Sequence, residues 1–124
     1  MENREEEKGT AGVPYFVYIV RCEDGTLYSG IARDLKKRLE THLSRGKNAA
    51  RYTKSHPVRT LEAAWLLENR AEASRLEAVL HRLSRQKKED LLAAPCRIGE
   101  LFTPLSGKVL PVETAPFQPL FKPQ

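Results

Sequence analysis

The run Tyr15 to Arg21 is almost wholly β-branched or aromatic, and after Glu23-Asp24-Gly25 a second such run follows from Leu27 to Ile31. Two short strands separated by a turn signal of this kind read as a β-hairpin. A three-residue loop with Gly25 left-handed puts Val20 opposite Tyr28 and Tyr18 opposite Gly30, so that Tyr18 and Tyr28 share one face as diagonal neighbours. A two-residue Asp24-Gly25 loop shifts the register by one and sends the two phenols to opposite faces. The sequence permits both registers, and the shared face is the expectation.

Asp34 is a good N-cap. Behind it Leu35, Leu39 and Leu43 recur every fourth residue, which predicts an amphipathic helix ending near Gly46. Arg38 and His42, four apart, then lie one above the other beside the leucine stripe. The loop 47–57 is basic and polar. Leu61, Ala63, Trp65 and Leu67 alternate with Ala64 and Leu66, so both faces are apolar and a third strand buried on both sides is expected. Leu76, Val79, Leu80 and Leu83 fall at helical spacing within 71–83, with Glu77 at the border of that face, and a short second helical stretch covers 85–92.

The flanks differ in composition. Residues 1–13 carry four acids, two bases and little apolar surface, and read as a flexible tail. Residues 14–94 hold sixteen bases against ten acids and nearly all of the apolar pattern, which suits one domain with one core. In 95–124 prolines recur at 95, 104, 111, 116, 119 and 123; regular helix is excluded, leaving disorder, packing along the domain, an extended arm or a docking peptide. The excess of positive charge favours a polyanionic partner such as nucleic acid, although many soluble domains are basic on a solvated face. Cys22 and Cys96 are the two thiols, and neither a disulfide framework nor a structural zinc site is expected. No apolar run approaches the roughly 20 residues of a membrane span, and the acidic start is unlike a signal peptide, so no membrane association and a cytoplasmic location are expected.

Taken in order, Phe16-Val-Tyr18, Tyr28-Ser-Gly30, Asp34-Leu-Lys-Lys-Arg38-Leu, His42 and Leu76-Glu77 resemble the GIY-YIG nuclease domain over about residues 14–94. The likeness is greatest to the small stand-alone bacterial proteins of YhbQ type, shared also by Arg51-Tyr-Thr-Lys, Pro57-Val-Arg and Leu83-Ser-Arg-Gln-Lys-Lys. The resemblance implies an α+β fold with a three-stranded antiparallel sheet flanked by helices. It implies hydrolysis of nucleic-acid phosphodiesters with one divalent ion, Mg²⁺ or Mn²⁺. By the same resemblance Tyr18 is the general base assisted by Tyr28, Arg38 faces the phosphate, Glu77 binds the metal, and His42 joins the site as in some branches.

These residue types suit that chemistry. A guanidinium can hold two phosphate oxygens at once. A single carboxylate is a sensible Mg²⁺ ligand, because the ion keeps several waters and takes further oxygens from substrate. Tyrosine is the harder case, since lowering its pKa from about 10 to near 7 takes roughly 4 kcal/mol. Each residue also has a plainer reading. Both tyrosines are compatible with ordinary strand packing, Arg38 with a solvated helix charge, His42 with capping or packing, and Glu77 with pairing to His81, Arg70 or Arg75. The chain departs from the wider pattern at Phe16 and Ser29, which replace residues without catalytic groups. It also departs at Ile31 and His81, where lysines are usual in some relatives, which lowers the fixed positive charge.

Two further functions fit the same residues. A non-catalytic module would hold DNA or structured RNA on Lys36, Lys37, Arg45, Lys47, Arg51 and Lys54 as phosphate contacts. An adaptor would use 95–124 to dock a protein partner. An endonuclease acting on DNA, in repair or processing, is the leading expectation, with DNA preferred to RNA.

Overall fold

The structure is a computed structural model and describes residues 12–44 and 55–121. The expected N-terminal tail (1–11 of it) and the phosphate contacts at Arg45, Lys47, Arg51 and Lys54 lie outside the described residues. Strand β1 (Tyr15–Cys22) pairs antiparallel with β2 (Leu27–Ala32) on one side and with β3 (Val58–Leu67) on the other. A short strand β4 (Leu110–Val112) adds to the free edge of β3, giving the order β2-β1-β3-β4. The sheet therefore has four strands where three were expected. The fourth comes from the proline-rich end of the chain. Pro111, opposite Trp65, is accommodated because β4 is a three-residue edge strand with solvent on its outer side.

The hairpin has the three-residue loop. Gly25 sits at φ 87°, its N–H donates to the Cys22 carbonyl (2.9 Å), and the Cys22 N–H donates to the Thr26 carbonyl (2.8 Å). Gly25 reaches that left-handed conformation without the steric cost a side chain would bring. Val20 then faces Tyr28 and Tyr18 faces Gly30, in the register that keeps both phenols on one side.

Each face of the sheet has its own cover. Val17, Ile19, Ala63, Trp65 and Leu67 pack beneath helix α2 (Arg70–Arg82), helix α3 (Arg85–Ala93) and a 3₁₀ turn at Pro95–Glu100, through Leu76, Leu80, Leu91 and Ile98. The opposite face presents Tyr18, Val20, Cys22, Leu61 and Ala64 to helix α1 (Leu35–Ser44), which inserts Leu35 and Leu39. Simple alternation would have put Leu61 on the Trp65 side. A register shift between Ile19 and Val20 leaves Glu62 as the extra residue and turns Leu61 over to α1.

Caps set the helix starts. Asp34 accepts from the Lys37 N–H (3.1 Å), Asn69 from that of Glu72 (2.9 Å) and Ser84 from that of Lys87 (3.2 Å). The C-terminal segment is folded against the domain over its described length. Buried Glu72 accepts from the Ser106 N–H (2.7 Å) and the Gln118 amide donates to the Leu61 carbonyl (2.8 Å). A second 3₁₀ stretch (Ala115–Phe121) lays Phe117, Leu120 and Phe121 against the α1 face.

Candidate active site

Tyr18, Tyr28 and His42 come from three elements and meet on the α1 side of the hairpin, Arg38 of α1 hydrogen-bonds the Tyr18 phenol, and the charge of Glu77 on α2 is felt by both phenols. Asp34 starts α1, and Leu35 and Leu39 anchor it to the sheet, so the positions one and two turns after the cap are delivered to the tyrosine face. His42 is fully buried there. Its Nε2 lies 2.7 Å from the Tyr18 hydroxyl, and its ring meets both phenols edge-on, with centroids 5.8 Å from Tyr18 and 5.7 Å from Tyr28. The imidazole is the hub that joins the two tyrosines.

Gly30 explains how Tyr18 fits. A Cβ at this position would stand 2.6 Å from the Tyr18 hydroxyl oxygen and 2.8 Å from the ring carbon that bears it. Only glycine leaves room for the phenol to lie over the neighbouring strand. The signal was present in the sequence, since the favoured register already set Tyr18 opposite Gly30; the need for close approach shows only once the ring's direction is known.

Burial and charge act together on the titratable groups. Burial pushes the Tyr18 phenol up to about 12, partly offset by hydrogen bonding and charge from Arg38, while Tyr28 and Glu77 add to the rise. Tyr28 is raised by its partial burial, with Arg38 lowering and Glu77 raising it. Burial, then the Arg38 charge, depresses His42 to about 4. At neutral pH the centre therefore holds two neutral phenols and a neutral imidazole. Arg38 and Glu77 act on both phenols with opposite sign, so both charges lie within electrostatic reach of the tyrosines, although Leu76 and Leu80, the neighbours of Glu77, pack on the other face of the sheet.

The two tyrosines differ in access. Tyr18 is 1% exposed, whereas Tyr28 is only half-buried. Glu77 is half-buried as well. Among the described residues no ion pair joins Glu77 to Arg70, Arg75 or His81; Arg75 is engaged by Glu72 at 2.6 Å and Arg70 lies over the Tyr15 ring. Lys36 and Lys37 are exposed on α1.

Among the described residues no group of three or more His, Cys, Asp or Glu side chains could hold a metal by itself. A divalent ion can make do with one carboxylate when water and substrate oxygens complete its shell, and the half-buried Glu77, whose charge both phenols feel, is such a carboxylate. Glu77 is the residue that would hold it.

The profile described as the GIY-YIG catalytic domain matches residues 14–90. The chain belongs to the GIY-YIG family. It is 42% identical over 81 residues to the UPF0213 protein FN1575 of Fusobacterium nucleatum, covering 65% of this chain and 79% of that one. It is 39% identical over 79 residues to the UPF0213 protein BH0048 of Halalkalibacterium halodurans, covering 64% and 82%. The solution NMR structure of BH0048 from Bacillus halodurans aligns with 77% of this chain and 99% of that chain, at 37% identity and a TM-score of 0.44. The family is a nuclease family by its domain, and no helix in the described residues is long and apolar enough to cross a membrane. GIY-YIG nucleases generally use divalent metal ions.

Proposed function

We propose that the protein is a metal-dependent endonuclease that hydrolyses phosphodiester bonds in DNA, in repair or processing, with Mg²⁺ or Mn²⁺ bound through Glu77. The observation that carries this reading is the match of the GIY-YIG catalytic domain to residues 14–90, with Tyr18, Tyr28 and His42 gathered in one cluster. Arg38 neutralises charge on the phosphoryl oxygens, a task in which a planar guanidinium exceeds an ammonium. When bound, the ion supplies Lewis-acid stabilisation of the leaving oxygen.

Tyr18 is the general base for the attacking water, and magnitudes constrain how. Burial holds the Tyr18 phenol up and the His42 imidazole down, so moving the proton from one to the other in the free protein is strongly uphill. The resting pair is therefore a neutral phenol against a neutral imidazole. Positive charge brought in beside the phenol lowers its pKa by about 1 to 3 units per nearby cation, and phosphate charge beside the imidazole raises that of His42, so bound substrate narrows the gap from both ends.

A second reading of the tyrosines rests on their exposure. Tyr18 is sealed and Tyr28 is not. In this version Tyr28 contacts the water and Tyr18 passes the proton towards His42. Single-turnover rates separate the two: a larger loss in Tyr28→Phe than in Tyr18→Phe selects the relay.

The test of function is a panel of single-stranded, flapped and branched DNA and the matching RNA, incubated with Mg²⁺ or Mn²⁺ beside a Glu77→Gln variant. Cleavage by the natural protein, strongest on DNA and lost in the variant, is the expected outcome. Salt-sensitive binding without cleavage under either metal returns the protein to the class of binding modules, with Lys36 and Lys37 as phosphate contacts.

A further inference from the structure

Beside the cluster lies a cleft of about 290 Å³ between the end of β2 and the first two turns of α1. One wall is apolar, made by Ile31 and Ala32, and the other is Lys37, Arg38 and Thr41, with Arg33 at the corner. Positions 34, 37, 38 and 41 fall on one helical stripe, about 10 Å long at about 1.5 Å per residue. That length matches about three steps of a stacked strand at about 3.4 Å each. The stripe runs from the candidate site outward, because Arg38 belongs to both.

Charge in the cleft is positive. Arg33 and Lys37 are exposed and form no ion pair among the described residues. The acid of the stripe, Asp34, is already occupied as the helix cap by the Lys37 backbone N–H at 3.1 Å. Its carboxylate still offsets one of the three positive charges, which leaves a net attraction for a phosphate. The Thr41 hydroxyl donates to the Lys37 carbonyl (3.0 Å) and retains lone pairs and reach along the wall.

We infer that this cleft is a second phosphate-binding subsite, in which Arg33 and Lys37 hold the sugar-phosphate backbone of the same nucleic-acid strand beyond the phosphate that Arg38 faces. The inference rests on the nuclease reading for its ligand and on the cleft for its position. The apolar wall suits a sugar, and two flexible cations without a rigid fork suit a backbone that is held by charge and not read by sequence. The subsite favours single strands or frayed ends, whose backbone can follow a narrow cleft beside a helix.

The experiment measures binding without cleavage. A labelled single-stranded DNA oligonucleotide is titrated by fluorescence anisotropy, in a chelator, at several salt concentrations. The proteins are the full chain, Arg33→Ala/Lys37→Ala, and a control, Lys87→Ala/Lys108→Ala, that removes equal charge from exposed positions elsewhere. The cleft variant is expected to bind about tenfold or more weakly at low salt than the control, with a salt slope reduced by about 0.7 for each phosphate that is no longer neutralised. Neutral methylphosphonate linkages are then placed one at a time along the strand. At one or two positions the natural protein loses affinity and the cleft variant does not, which places that phosphate on Arg33 and Lys37. Equal affinity and slope in the cleft variant and the control overturn the inference, as does displacement of the strand by inorganic phosphate beyond its ionic-strength effect, which marks a small-anion site. Circular dichroism melts check that both variants fold. Because the readout is binding, absence of cleavage or an active Glu77→Gln variant would count against the nuclease reading and leave this test standing.

Discussion

Strand β1 has two sides with opposite content. Val17 and Ile19 point into an apolar layer with Trp65, Leu76 and Leu80, while Tyr18, one residue away from each, points into a layer that also buries His42. The first side follows hydrophobic burial alone. The second keeps polar groups in a dry place by pairing them with each other, since an unpartnered buried hydroxyl or imidazole would cost several kcal/mol. The period of two along a strand thus separates stability from chemistry at the spacing of one residue.

The contrast breaks most visibly at Trp65. Trp65→Ala removes a fully buried ring whose indole N–H donates to the Pro95 carbonyl at 3.0 Å, and should cost about 3 to 5 kcal/mol in a denaturant titration. Cleavage per folded molecule should change little. Glu77→Gln should do the reverse, lowering single-turnover cleavage about 100-fold or more, near 3 kcal/mol of barrier, with stability moving by less than about 0.5 kcal/mol.

The site side should contribute one pH window of stability on each side of neutrality. His42 is held near 4 in the fold against 6.5 in its ordinary state, so the unfolded chain binds the proton first as pH falls. Stability is then lost between about pH 6.5 and 4, by roughly 3 kcal/mol at most. The Tyr18 phenol, raised to about 12, gives the mirror case: the unfolded chain ionises first, and stability falls as pH rises from about 10 to 12. Melts across pH on His42→Asn and Tyr18→Phe should flatten one window each. An unchanged acid window in His42→Asn would show that other groups control it.

A smaller effect is expected at Gly30. Gly30→Ala forces a methyl against the Tyr18 hydroxyl and should cost about 1 to 3 kcal/mol, with a larger loss of activity than its stability change explains. A stability loss with full activity per folded molecule would separate the seat of Tyr18 from its function.

Much of this arrangement was legible in the chain. The hairpin was legible with its register open between two, of which the structure has the three-residue loop, and Asp34 with the leucine repeat located α1 and the stripe that carries Arg38 and His42. The ends of α2 and α3 fell within a residue of expectation, α2 because Leu76, Val79 and Leu80 keep helical spacing. Other features depend on residues that meet from distant parts of the sequence. The bulge at Glu62 follows from pairing with β1 and with Arg21, whose guanidinium lies 3.4 Å from the Glu62 carboxylate, so local alternation misplaced Leu61. Strand β4 was hidden by its proline, Pro111, which an edge tolerates and a central strand does not. The sealing of Tyr18 beneath His42 needs the three-dimensional meeting of α1 with β1. So does the cationic cleft, since Arg33 precedes the helix and carries no periodic signal.

In the proposed mechanism the two phenols, Arg38, His42 and Glu77 act as one unit on a phosphodiester. Single-turnover cleavage of the best DNA substrate, measured for Tyr18→Phe, Glu77→Gln and the double variant, tests it most directly. Residues that act as a unit give strongly non-additive losses. The double variant should be scarcely slower than the slower single variant. Losses that multiply, or a Glu77→Gln protein that cleaves at the natural rate, would contradict the account.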